Sequence, residues 1–225
     1  LGLLVMLATR HRQATLMLEQ AFLLTSGLWL VLPAIGAIPI LMGVPGASLT
    51  DAMFESMSGM TTTGATTFPK LAELSDGVHL WRAILQWSGG LGIVVVAMVF
   101  LPVMRVGGMQ FFRSEGFDTM GKVMPRAGSI ASELTELYLG ITIVCALIYA
   151  ALGMTGFDAV IHALTTCSTG GFSNYDASLG KYSGPAEIVA SLFMFLSSIP
   201  FILMIHGLHG SPGALWRDSQ IRTYV

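Results

Sequence analysis

Apolar stretches alternate with short polar ones along this chain in a recurring order. Residues 16–42, 80–104, 134–152 and 186–208 are strongly hydrophobic. Each is long enough to cross a hydrocarbon layer of roughly 30 Å, which takes about 20 helical residues. The polar side chains within them include Glu19, Arg82, Thr142 and His206. Most of these lie near an end, where a long side chain can reach the interface. The pattern therefore predicts four spanning helices.

Between the spans lies a second, shorter pattern. After the first span and a Gly-Val-Pro-Gly turn at 43–46 comes a patterned segment, 49–58, too short to span, followed by Thr-Thr-Thr-Gly-Ala-Thr at 61–66. After the third span and Gly156 comes another short segment, 157–165, followed by Ser-Thr-Gly-Gly-Phe-Ser at 168–173. Asp51 and Asp158 stand at or near the start of the short segments. There a carboxylate satisfies orphan N–H groups and the positive end of the helix dipole.

Sliding the chain against itself by 107 residues superimposes these features without a gap: Asp51-Ala52 on Asp158-Ala159, Thr62 on Thr169, Gly64 on Gly171 and Thr66 on Ser173. Identity is thin, but the order span, short helix, Thr/Gly segment, span repeats as a unit, which is the signature of an internal duplication. Each unit holds an even number of spans, so the two run parallel through the membrane.

Composition sharpens the environment. Hydrophobic residues make up 53% and charged residues 11% of the 225, against about 25% charged in soluble domains. The mean hydropathy is +0.72. A net charge of −2 gives no basis for nucleic-acid binding. Arg10, Arg12, Arg105, Arg113, Lys122, Arg126, Arg217 and Arg222 fall on one side of the predicted spans, and Lys70, Arg82 and Lys181 on the other. That bias places both ends and the 105–133 connection in the cytoplasm. Cys145 and Cys167 lack metal-site spacing and read as buried small side chains. Residues 1–8 read as the tail of a preceding helix and 216–225 as the start of a further unit, so the chain is expected to be a fragment.

A short helix that enters from outside and stops partway aims its partially negative C-terminal end at the membrane centre, which favours a cation. Non-helical backbone is tolerated at that depth only where protein or a water-filled cavity satisfies it. Carbonyl groups there can replace an ion's hydration shell, and glycine gives the backbone freedom to point them inward. Neither Thr/Gly segment carries a carboxylate, so selection by carbonyls is more natural than selection by fixed charge.

These segments resemble a known family. Residues 54–66, Phe-Glu-Ser-Met-Ser-Gly-Met-Thr-Thr-Thr-Gly-Ala-Thr, are similar to the first pore loop of the Trk/Ktr/HKT potassium transporters, nearest their bacterial TrkH/TrkG branch. The similarity continues through Gln-Trp-Ser-Gly-Gly-Leu-Gly-Ile at 86–93, Leu-Pro-Val-Met-Arg-Val-Gly-Gly-Met-Gln at 101–110, residues 168–173, Tyr-Asp-Ala-Ser at 175–178 and Trp-Arg-Asp at 216–218. It implies an all-α integral membrane fold of tandem membrane helix–pore helix–filter loop–membrane helix repeats, four around one potassium-channel-like pore. It divides the chain into a preceding helix end and link (1–12), a first repeat (13–110), a cytoplasmic linker (111–133), a second repeat (134–215) and the start of a third (216–225).

The resemblance implies potassium uptake through a filter formed here by Thr62, Thr63, Gly64 and Ala65 with Thr169, Gly170, Gly171 and Phe172. Potassium, the transported and bound species, would sit at Thr62, Thr63, Thr169 and Gly170, with no catalytic residue and no organic cofactor. It also implies an inner-membrane location, homodimers, a cytoplasmic nucleotide-binding regulatory subunit, and further pore repeats from the same polypeptide. Two departures stand out. Ser-Ser-Ile-Pro-Phe at 197–201 replaces a more polar, glycine-containing stretch, and Pro200 should kink or break that helix. Ser168-Thr169 replaces a more apolar pair, which leaves the choice between potassium and sodium open.

Other groups have plainer readings. Gly89, Gly90 and Gly92 suit close helix packing. Glu55 and His162, at matching repeat positions, are expected to hydrogen-bond behind the filter rather than bind ions. His206 and His209 lack a third metal ligand. Residues 107–133 read first as a solvated linker and second as a docking surface for a regulator. The alternative function is a sodium- or proton-coupled secondary transporter, which would favour inverted repeats. No serine-plus-base or HExxH pattern supports an intramembrane enzyme.

Overall fold

The computed structural model describes residues 18–104, 123–182, 184–208 and 222–223. The readings made on residues 1–12, 105–122 and 209–218, including most of the basic residues and His209, lie outside the described residues, as do the side chains of Arg126 and His206. Seven helices and two short 3-10 turns make up the described fold: α1 Leu18–Gly43, α2 Leu49–Met60, α3 Asp76–Met104, α4 Val123–Ala151, α5 Gly156–Cys167, α6 Pro185–Ser197 and α7 Phe201–Leu208. No strand occurs among the described residues.

α1 is apolar around its whole circumference, yet only 22% of its span-like window is buried in protein. Leu23, Leu30 and Met42 are largely exposed. A helix apolar all round belongs either in a protein core or in lipid, and this one is not in a core. Among the described residues, 22–43 and 131–151 are long and apolar enough to cross a membrane by length and composition.

The predicted spans shift in physically interpretable ways. α3 starts at Asp76, four residues before 80, and α4 starts at Val123, within the stretch read as linker. Residues 126–133 contain no proline after Pro125, and the single Gly128 costs only about 1 kcal/mol in a helix interior, so the helix runs on past the apolar stretch. The span predicted at 186–208 is two helices, because Pro200 has no N–H to donate. The Pro200 carbonyl instead accepts from Leu203 and Met204 at 3.0 and 3.3 Å and opens α7.

The two short helices are related by the 107-residue offset at both ends, Leu49 to Gly156 and Met60 to Cys167. Their caps correspond too. Ser48 Oγ accepts from Asp51 N–H at 3.1 Å, and Thr155 Oγ1 accepts from Asp158 N–H at 3.2 Å. The capping residues are thus Ser48 and Thr155, not the two aspartates, which sit one turn in. Asp51 completes a capping box by accepting from Ser48 N–H at 3.1 Å.

α2 lies between α1 and α3, and α5 packs on α4, α3 and α6. Gly36 lets α1 come down on α2, since a Cβ there would press on Ser56 Oγ and on Leu85 at 3.0 Å. Trp81 Nε1 donates to the Gly36 carbonyl at 2.8 Å and ties α3 to α1. Thr142 is not at an end but inside α4, 5% exposed, where it accepts from Trp87 Nε1 at 3.0 Å. Trp87 and Tyr138 stack with centroids 5.1 Å apart, joining the two units through α3 and α4.

Candidate functional site

The site begins where α2 and α5 end. Thr63 and Gly64 N–H both turn back to the Ser58 carbonyl, at 2.9 and 3.4 Å. Gly170 and Gly171 N–H turn back to the Thr165 carbonyl, at 3.0 and 3.1 Å. These four donors and two acceptors are again related by 107. The backbone dihedrals agree as well: φ is +54° at Thr62 and +55° at Thr169, +76° at Gly64 and +74° at Gly171. Left-handed backbone at a threonine is uncommon and strained, and such strain concentrates at functional sites. Here it occurs twice, at equivalent places.

Folding the N–H groups back leaves the carbonyls on the other side of each loop. Among the described residues, no donor is directed at the carbonyl oxygens of 61–64 or 168–171. Thr61 Oγ1 and Thr63 Oγ1 lie 2.8 Å apart, and Ser58 Oγ donates to the Ala65 carbonyl at 2.6 Å, pinning the loop's exit. The partial negative ends of α2 and α5 point into these loops. The arrangement offers acceptors, without a formal charge, to a cation.

The two loops meet. A Cβ on Gly64 would overlap the Gly170 carbonyl oxygen, so the first loop approaches the second at bare-backbone distance. Thr62, Gly64 and Gly170 are half-buried, and Thr63, Ala65, Thr169 and Gly171 are exposed on the described surface. Phe172 differs from the other predicted wall residues. Its ring is buried beneath the Arg82 guanidinium, with Cζ 4.2 Å from the ring centroid, so only its backbone belongs to the loop.

Behind the loops stands a polar layer. Arg82, read from the sequence as reaching for the interface, is instead 1% exposed. Its Nε donates to Glu55 Oε1 at 2.7 Å and its Nη1 to the Ser173 carbonyl at 3.2 Å. Glu55 Oε2 accepts from Thr66 Oγ1 at 3.0 Å and from Thr67 N–H at 3.2 Å. His162, the counterpart of Glu55, places Nε2 3.1 Å from Ser173 Oγ, the counterpart of Thr66. Both groups hold the exit of their own loop, in keeping with a hydrogen-bonding role behind it.

Near the N-terminal end of α5, Asp158 gathers the connection that follows the second loop. It accepts from Thr155 Oγ1 at 3.0 Å, Asn174 Nδ2 at 2.7 Å, Tyr175 OH at 2.9 Å and Tyr182 OH. Burial acts to raise its pKa, but the hydrogen bonds from Tyr182, Asn174, Tyr175 and Thr155 outweigh burial and bring it down to about 2. Asp176 Oδ1 accepts from Leu71 N–H at 3.0 Å, crossing between the units.

Gly89 and Gly90 pack against the ends of both short helices: a Cβ on Gly89 would overlap the Met60 carbonyl, and one on Gly90 would meet Ser168 Cβ at 3.0 Å. Gly92 has nothing within 4 Å and takes no part in that contact. No group of three His, Cys, Asp or Glu residues that could hold a metal occurs among the described residues. Sequence reasoning passed over Arg82 and Gln86 as loop supports. Two polar side chains four apart on an apolar helix share one face, and that spacing was the available signal.

The sequence pattern of the family described as TrkH, cation transport protein, matches residues 2–221. The Trk system potassium uptake protein TrkI of Halomonas elongata is 45% identical over 205 residues, covering 90% of this chain and 42% of that protein. The Trk system potassium uptake protein TrkH of Escherichia coli is 37% identical over 230 residues, covering 100% of this chain and 48% of that protein. The crystal structure of the potassium transporter TrkH from Vibrio parahaemolyticus superimposes with a TM-score of 0.82 at 35% identity, over 95% of this chain and 44% of that one. The chain spans less than half the length of the relatives it matches.

Proposed function

Because the chain belongs to the TrkH family of cation transport proteins, an all-α membrane fold, we propose that it forms two of the filter-bearing units of a potassium uptake pore. α1–α3 make one membrane helix–pore helix–filter loop–membrane helix repeat within 13–110, and α4–α7 the next, over 134–215 with α4 reaching back to Val123. Residues 1–12, 111–133 and 216–225 are a preceding helix end and link, a cytoplasmic linker whose last part is the start of α4, and the opening of a further repeat. Thr62, Thr63, Gly64 and Ala65 face Thr169, Gly170, Gly171 and the Phe172 backbone. Potassium binds at Thr62, Thr63, Thr169 and Gly170.

The observation that carries this reading is the pair of loops with matching left-handed turns, N–H groups folded back and carbonyls left without donors. A dehydrated ion passing them exchanges water oxygens for carbonyl oxygens. The transmembrane potential drives entry at about 2.3 kcal/mol per charge per 100 mV. Relatives named potassium uptake proteins support potassium as the ion. Two units supply half of a four-part pore, so conduction needs the remaining repeats of the full-length polypeptide. The protein works in the inner membrane with both ends of this segment cytoplasmic, as a homodimer, with a cytoplasmic nucleotide-binding regulator.

The parallel, not inverted, relation of the units weighs against a sodium- or proton-coupled carrier. Gly64→Val in the full-length protein tests the reading. Its Cβ would meet the Gly170 carbonyl, and its φ of +76° is strained for a β-branched residue. Flux in proteoliposomes across a potassium/sodium gradient should lose selectivity, and unchanged selectivity and conductance would sink the assignment.

A further inference from the structure

Gln86 lies on α3, in the first unit, yet its side chain reaches the loop of the second. It is wholly buried. Its Oε1 accepts from the Phe172 N–H of the second unit at 3.0 Å. Its carboxamide fills the space that a Cβ on Gly170 would need. The Gly170 carbonyl oxygen abuts Gly64, and a Cβ on Gly64 would stand 3.6 Å from Gln86 Nε2. The Gly170 residue is therefore in close contact with Gly64 through its carbonyl and with Gln86 through its Cα. Among the described residues Gln86 Nε2 has no hydrogen-bond partner, so the amide is held by Oε1 and by packing.

We infer that Gln86 is a specificity-determining positioning residue: from the first unit, it sets where the second unit's filter carbonyls stand relative to the first's. This rests on the filter reading above. A carbonyl site discriminates between cations through the number and spacing of oxygens it can bring to a dehydrated ion. The Gly170 Cα cannot shift toward α3 while the Gln86 carboxamide occupies the space beside it. Nor can the loop rotate while Phe172 N–H is bonded to Oε1. Arg82, one turn earlier on the same face, reinforces the restraint by donating to the Ser173 carbonyl. Discrimination is thus assembled across the seam between units and is not a property of either loop alone. Gln86 touches no ion in this arrangement; it acts through Phe172 and Gly170.

The test uses the full-length protein in proteoliposomes, reading the potassium/sodium permeability ratio alongside potassium-over-sodium protection against thermal unfolding in detergent. Gln86→Met keeps the length and removes both polar atoms without burying a charge. The expected result is a permeability ratio lowered about five- to tenfold in Gln86→Met, the scale of one lost hydrogen bond. The preferential protection by potassium should fall with it. Should Gln86→Met not fold, Gln86→Asn, whose amide falls one methylene short of Phe172, replaces it with the same expected loss. A wild-type ratio in the folded Met or Asn variant, or a loss of thermal stability with the ratio and the potassium preference unchanged, overturns the inference. A wild-type protein that itself fails to discriminate potassium from sodium overturns the filter reading instead, so the two failures are distinguishable.

Discussion

Arg82 Nε and Glu55 Oε1 stand 2.7 Å apart, with side chains 2% and 0% exposed. The pair joins α3 to α2, and through Ser173 and the Phe172 ring Arg82 reaches the second unit as well. Removing one member leaves the other charge buried without a partner, which costs about 3–5 kcal/mol. Glu55→Gln and Arg82→Leu should each lower the thermal midpoint of the full-length protein in detergent by that scale. The double variant should lose less than the sum of the two. A strictly additive double-mutant cycle would show that the two charges are not coupled. Arg82→Lys should not restore stability, because an ammonium lacks the planar fork that reaches Glu55 and the Ser173 carbonyl together.

This pair also marks where sequence reading stopped. The 107-residue repeat, the short helices and Pro200 as a helix breaker were all legible, because each is written in local spacing or in a single residue's chemistry. The partner of Arg82 was not. Glu55 is 27 positions away, and an arginine seven residues into α3 carries the same local pattern whether it snorkels outward or turns inward. Gln86 appeared only as a letter in a motif, since its partners, Phe172 and Gly170, belong to the other unit. The resemblance implies a filter-wall place for Phe172 from its position in the motif, and such a position fixes the backbone but not the direction of the ring.

The glycines of α3 separate by what they touch. Gly89→Ala drives a methyl into the Met60 carbonyl, a backbone atom at the end of α2 that cannot swing aside. Overpacking of this kind costs about 1–3 kcal/mol, and α2 would have to move, carrying the loop at 61–66 with it. Gly92→Ala meets nothing within 4 Å. Stability and potassium flux should therefore fall in Gly89→Ala and remain at wild-type levels in Gly92→Ala. Equal behaviour of the two would contradict the packing of α3 on α2.

Cys145 and Cys167 are free and at most 2% exposed, packed in the core shared by α4, α5 and α6. A thiol reagent must open that core before it reacts. Folded full-length protein, with any other cysteines replaced, should resist maleimide labelling and take up two equivalents after denaturation. Rapid labelling of the native protein at either position would show that the core opens readily around the second loop.

Asp158 gives the connection after the second loop a defined response to acid. Its folded pKa of about 2 lies below the ordinary aspartate value of 3.8, so the folded state favours the carboxylate. The stabilisation is fully present above the unfolded value and is lost as pH falls through the folded one. Thermal stability attributable to Asp158 should thus be flat from neutral pH down to about 4 and decline between about 4 and 2. Asp158→Asn should be less stable than wild type at neutral pH, and the gap should close across that window, because protonation of wild type removes the same charge. Tyr182→Phe removes the largest of the hydrogen-bond contributions that favour the carboxylate and should move the decline to higher pH. A wild-type-minus-Asn difference that stays constant from pH 7 to 2 would mean that the carboxylate is not what holds Asn174, Tyr175 and Tyr182 behind the second loop.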